Sequence, residues 1–86
     1  MTNDIYSTDS AYYLGLAIDY AVEGDFFAAR SSLMSAMWAA RGDANSVIEE
    51  ARSWAEAAPV LEEIIRLNRE RLDHIAKAAA ATPRVV

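Results

Sequence analysis

The chain has 86 residues, no cysteine and a net charge of −5, which leaves room for one small domain and none for disulfides or thiolate metal sites. Its acidity disfavours direct nucleic-acid binding, because affinity for phosphate depends on clustered lysine and arginine. No apolar stretch approaches the ~18 residues of a membrane span. We expect a single domain over residues 1–86 with flexible termini at 1–8 and 82–86. The polar start lacks the features of a signal peptide, which predicts a cytoplasmic protein of the producing cell or of an infected host cell.

Abundant alanine and apolar residues at spacings of three and four predict an all-α protein with four helices. The first helix is expected at about residues 9–23, with Ser7, Thr8 or Asp9 as its N-cap. Gly24 is expected to end it, because glycine adopts the left-handed conformation of a helix C-terminus at low cost.

A second helix is predicted to begin after Asp25, whose carboxylate is suited to capping, and to run to about Ala40. Gly42 is then expected to end this helix as a second C-terminal glycine. The residues suited to begin a third helix are Asp43, Asn45 and Ser46.

The second half of the chain contains a proline that leaves two readings open. The third helix is predicted to reach about Ala57, and a fourth to run from about Pro59 to Ala80. Proline disfavours a helical residue before it, which indicates a break and a second helical hairpin. An uninterrupted heptad series, however, suits one long helix kinked at Pro59 as well as it suits two helices in a hairpin. The series is Val47, Ala51, Trp54, Ala58, Leu61, Ile65, Asn68, Leu72, Ile75 and Ala79.

The first half carries a recognisable pattern of aromatic, small and turn residues. Its members are Tyr13, Leu16, Ala17 and Tyr20, then Gly24, Asp25 and Phe26, and then Ala29, Leu33 and Ala36. In this spacing, residues 10–43 resemble one tetratricopeptide repeat, a helix-turn-helix of 34 residues. The pattern departs from the family at Arg41, which stands where the repeat has a proline. A shift by 34 residues brings glutamates onto two close-packing positions, so the second half does not repeat the first.

The resemblance implies an antiparallel hairpin in which Ala17, Ala29 and Ala36 allow close approach. The larger residues, Tyr13, Leu16, Tyr20, Phe26 and Leu33, would then fill the seam. It also implies a ligand-binding face on the first helix, formed by Ala11, Leu14, Ile18, Ala21 and Val22. Helix four, a second copy of the chain or a foreign partner would cover this face. Trp38 and Trp54 fit either a core or an interface.

Residues with catalytic or metal-binding chemistry are sparse. His74 is the single histidine, and Glu70 four residues before it does not complete a metal site. No serine has the setting of an activated nucleophile, and the three glycines do not form a phosphate-binding loop. Asn68, inside the heptad series, is either a buried residue that fixes coiled-coil register or a rim residue. We therefore expect no enzyme activity, no cofactor and no metal.

Two functional hypotheses follow from these patterns. The first is a non-enzymatic protein-interaction module that acts through the apolar face of the first hairpin, on another protein or as a homodimer. The second is a small acidic inhibitor, of the type that phages and mobile elements encode, which occupies the basic surface of a nucleic-acid-binding protein. The expected partner-binding residues are Ala11, Leu14, Ile18 and Val22, with the carboxylates of Asp19, Glu23 and Asp25.

Overall fold

A computed structural model describes residues 2–40 and 44–81, with side chains from residue 9 onward. Within these ranges the chain is all-α, as predicted, and contains no strand. It forms five helices rather than four. They are α1 (Thr2–Glu23), α2 (Phe26–Ala40), α3 (Ala44–Arg52), α4 (Ala58–Leu67) and α5 (Arg69–Ala81). The expectations for Arg41, Gly42, Asp43 and residues 82–86 lie outside the described ranges.

Helix α1 begins at Thr2, seven residues before the predicted start. The prediction that Ser7, Thr8 or Asp9 caps it is therefore wrong. Serine, threonine and aspartate favour N-cap positions, but inside a helix each costs less than about 1 kcal/mol relative to alanine. Residues of this type permit a helix start without enforcing one.

The corner between α1 and α2 consists of Gly24 and Asp25. Gly24 has a φ of +83°, its N–H donates to the Ala21 carbonyl at 3.0 Å, and the Asp25 N–H donates to the Tyr20 carbonyl at 2.9 Å. This pair of bonds is a Schellman motif. The Asp25 carboxylate then accepts the Ala28 N–H at 3.1 Å and caps α2. The predicted roles of Gly24 as stop and Asp25 as cap are confirmed.

Helices α1 and α2 run antiparallel and pack along most of their length. The small residues Ala17, Ala29 and Ala36 are fully buried between the helices and the core, together with Leu33. Toward the end of the hairpin that is distant from the Gly24 corner, the Ser10 hydroxyl donates to the Ala36 carbonyl at 3.3 Å. Tyr13, expected in the seam, is instead 36% exposed, because the buried stripe of α1 follows residues 14, 17 and 21.

Helix α3 ends at Arg52, five residues before its predicted end, and α4 is a separate helix. The Ser53 N–H donates to the carbonyls of both Glu49 and Glu50, and the Trp54 N–H donates to Ala51 at 3.2 Å. The bonds from Ser53 to Glu50 and from Trp54 to Ala51 span three residues instead of four, which tightens the last turn and ends the helix. Pro59 lies in the first turn of α4, where a backbone N–H would have no acceptor within the helix. The reading with one long kinked helix is wrong, and Trp54 of the heptad series is 56% exposed.

The predicted fourth helix is divided at Asn68 into α4 and α5. Both the backbone N–H and the side-chain amide of Asn68 donate to the Ile64 carbonyl, at 3.0 and 2.9 Å. The side-chain oxygen accepts a hydrogen bond from Arg30 Nε of α2 at 3.0 Å. Asparagine side chains compete well for backbone hydrogen-bonding groups, which explains why the helix is interrupted here. Asn68 therefore connects α2 to the α4–α5 corner and does not set a coiled-coil register.

Helix α2 lies at the centre of the fold and contacts the other four helices. The core is aliphatic and rich in alanine, and its largest fully buried side chains are Leu33, Met37, Leu61 and Ile64. None of the helices in the described ranges is long and apolar enough to cross a membrane.

Candidate protein-interaction surface

The apolar residues predicted to bind a partner divide between core and surface. Leu14 is 7% exposed and belongs to the core, as does its neighbour Ala21. Ile18 is half-buried and packs against the same core, whereas Ala11 and Val22 are exposed. In this fold Leu14 is not accessible to a partner.

Three helices cover the inner face of α1. Helix α2 covers most of its length, and α3 and α4 also contact it. The expectation that the fourth helix covers this face therefore holds for its first part, α4, whereas α5 has no comparable contact with α1 in the described chain. The predicted apolar face is largely internal packing surface.

The predicted carboxylates are all exposed, and they differ in what they contact. Asp25 is the N-cap of α2, so its carboxylate already has a structural role. Asp19 and Glu23 point to solvent and form no ion pair with any residue in the described ranges. These two carboxylates are free to bind a partner.

Asp19 and Glu23 belong to a longer stripe on the outer side of α1. Its members are Asp9, Tyr12, Leu16, Asp19 and Glu23, at spacings of three and four residues, and we call them the acidic stripe. Tyr12 is 63% exposed and meets Tyr13 edge to face, with ring centroids 5.4 Å apart. The stripe therefore combines negative charge with an exposed aromatic ring.

The outer side of α2 carries an apolar counterpart. Phe27, Ser31, Met34 and Trp38 follow one another at spacings of four, three and four, and we call them the apolar ridge. Phe27 is 75% exposed and Trp38 is 41% exposed, while Met34 is half-buried against the core. No charged residue belongs to the ridge, which is unusual for the solvent side of a helix.

The apolar ridge was not predicted from the sequence. Trp38 was expected in either a core or an interface, and no role was expected for Phe27. The signal was present in the composition of α2, because FFAARSSLMSAMWAA contains a single charged residue, Arg30. A helix with apolar residues on both faces can bury only one of them in its own core.

The acidic stripe and the apolar ridge each lie on the side of their helix opposite the buried residues, for example Ala17 on α1 and Leu33 on α2.

Other surface features carry less chemistry. An open depression at the α4–α5 corner contains His74, Arg69 and Arg71, and a cleft of about 300 Å³ lies between α3 and α5 beside Asp73. The ion pairs Arg52–Glu62 and Arg66–Glu63 are exposed and each contributes at most about 1 kcal/mol. Among the described residues, no three histidine, aspartate or glutamate side chains group as metal ligands.

Comparison of the chain with family models, with curated proteins and with solved structures finds no match.

Proposed function

We propose that this chain is a non-enzymatic protein-interaction module whose tetratricopeptide-like α1–α2 hairpin binds another protein through the apolar ridge of α2. The observation that carries the proposal is the apolar ridge, in which Phe27 and Trp38 are exposed on a helix face without charge. Aromatic side chains of this kind are enriched among the residues that dominate binding energy at interfaces.

The size of the apolar contribution supports a binding role. Complete burial of one large apolar side chain stabilises a complex by roughly 1.5–3 kcal/mol. Phe27 and Trp38 lie eleven residues apart in sequence, about 16 Å along the helix axis, so one elongated partner surface can contact both. Met34 lies between them and is flexible enough to adapt to the partner's shape.

Affinity capture from extracts of the producing cell tests the proposal. We expect the double variant Phe27→Ser/Trp38→Ser to lose proteins that the wild type captures, as measured by quantitative mass spectrometry. Trp54→Ser is the matched control, because it removes an exposed aromatic residue from the α3–α4 connection, away from the ridge. Circular dichroism verifies that the three proteins are equally folded.

The outcomes of this test separate the alternatives. If the ridge variant and the Trp54→Ser control capture the same proteins as the wild type, the proposed function is wrong. If the only partner lost is a second copy of the chain, with a matching halving of the mass in light scattering, the module is a homodimer.

A further inference from the structure

Resting on the proposed function, we infer that the partner of the apolar ridge is a second copy of this chain, with the two α2 helices packed antiparallel about a two-fold axis. In this arrangement Phe27 of each copy lies against Trp38 of the other, and Ser31 lies against Met34. The inference deepens the proposed function, because it specifies the partner and the register in which it binds.

The order of side chains along the ridge gives the first argument. A two-fold interface uses the same patch on both copies, so the patch must be complementary to itself. The midpoint between Phe27 and Trp38 in the sequence is also the midpoint between Ser31 and Met34. Antiparallel pairing about this point places the aromatic residues together at both ends and the small serine against the longer methionine. Spacings of four, three and four keep these positions on one seam between the helices.

A parallel pair of α2 helices lacks this fit. Each ridge residue would then face its own counterpart, so two serines would meet at Ser31 and leave a gap without van der Waals contacts. The antiparallel order fills this position with the flexible side chain of Met34. The Ser31 hydroxyl needs no acceptor across the seam, because a serine inside a helix can donate to the carbonyl four residues before it.

The distribution of charge gives the second argument. The chain has a net charge of −5, so two copies repel each other unless their acidic residues stay apart. The ridge itself is uncharged, and the acidic stripe lies on the side of α1 that faces away from α2. Arg30, the one charged residue of α2, donates to Asn68 and would lie beside the uncharged Ser35 of the second copy. Two acidic copies can therefore pair through the ridge without contact between like charges.

The exposed area of the two aromatic residues sets the strength of the association. Whole phenylalanine and tryptophan side chains bury about 200 and about 250 Å². Exposed fractions of 75% for Phe27 and 41% for Trp38 therefore leave roughly 150 and roughly 100 Å² for a partner. Two copies would bury roughly 500 Å² from these residues, against roughly 1,200–2,000 Å² in a stable interface. We expect a weak, reversible dimer that forms in the micromolar range.

Sedimentation equilibrium over a range of protein concentrations tests the self-association. The mass of the wild type is expected to rise from the 9.4 kDa of the monomer toward twice this value. Phe27→Glu and Trp38→Lys should each weaken the dimer by roughly a hundredfold or more, because the two-fold axis doubles the effect of each substitution. Trp54→Lys, at an exposed aromatic residue outside the ridge, is the control and should dimerise like the wild type. Circular dichroism verifies that all variants are equally folded.

A mixture of Phe27→Glu and Trp38→Lys tests the register. In the antiparallel arrangement the new carboxylate at position 27 of one variant faces the new amine at position 38 of the other, and the native aromatic pair remains at the opposite end. We expect the mixture to form a one-to-one dimer at least about tenfold tighter than either variant forms alone. Fluorescence anisotropy of one labelled variant measures this affinity. In a parallel pair the new charges would not meet.

Three results would overturn the inference: a wild type that stays monomeric up to about 1 mM, a dimer that persists in both ridge variants, or a mixture that binds no better than its components. A monomeric wild type whose affinity capture of a foreign protein is lost in Phe27→Ser/Trp38→Ser contradicts the inference and leaves the proposed function standing. Unchanged capture by this double variant, together with a dimer that persists in both ridge variants, contradicts the inference and the proposed function.

Discussion

At the scale of single residues, Gly24 in the corner and Gly15 inside α1 have opposite requirements. Gly24 has a φ of +83°, which L side chains rarely adopt, whereas Gly15 lies within α1 in helical conformation. A Cβ atom at either position would meet no atom within 4 Å. Any change in stability on adding a methyl group therefore comes from backbone conformation and not from a clash.

We expect Gly24→Ala to destabilise the fold by about 1–2 kcal/mol, because alanine resists the left-handed conformation. Gly15→Ala is the matched control and should stabilise it by about 0.5–1 kcal/mol, because glycine inside a helix is unfavourable relative to alanine. Chemical denaturation measures both free energies of unfolding. Effects of the same sign at the two positions would contradict this account of the corner.

Asn68 ends one helix and forms a hydrogen bond to another. In the heptad series it occupies the place of a core residue between Ile65 and Leu72. The structure instead uses its side chain to terminate α4 at the Ile64 carbonyl and to accept the hydrogen bond from Arg30. The break between α4 and α5 is therefore joined to α2 by a polar contact between residues far apart in sequence.

We expect Asn68→Ala to lower the free energy of unfolding by about 1–2 kcal/mol, since the Arg30 guanidinium loses an acceptor in a partly buried site. Combined with Arg30→Ala, the losses should be non-additive, with a coupling of roughly 0.5–1.5 kcal/mol. Denaturant unfolding of the two single variants and the double variant measures this coupling. Asn45→Ala, at an exposed position on α3, is the control, and strictly additive effects of Asn68 and Arg30 would disprove the link.

For the molecule as a whole, the sequence predicted those features that depend on residues close together in the chain. The all-α class, the end of α1 at Gly24 and the cap of α2 at Asp25 are features of this kind, so the local sequence pattern was enough to predict them. Two of the three wrong boundaries can be explained. Cap-forming residues do not compel a helix to begin, which misplaced the start of α1, and the break at Asn68 involves a contact with Arg30, 38 positions away.

The candidate surface was predictable in its charges and not in its apolar part. Asp19 and Glu23 were expected to be exposed, and they are. Leu14 was assigned to a binding face and lies in the core, because α1 packs on three helices and not on one. When a helix is apolar on several sides, its sequence does not reveal which side the neighbouring helices cover.

The short connection at Gly24 and Asp25 has a consequence for the order of folding. Only two residues connect α1 to α2, so bringing these helices together costs little chain entropy. We therefore expect the hairpin to form before the contacts between residues more distant in sequence.

We expect Ala29→Gly within this hairpin mainly to slow refolding, and Asn68→Ala mainly to accelerate unfolding. Stopped-flow kinetics in denaturant distinguishes the two effects, and the reverse assignment would show that α4 and α5 form first. The hairpin that carries the apolar ridge would then be the part of the chain that other segments fold upon.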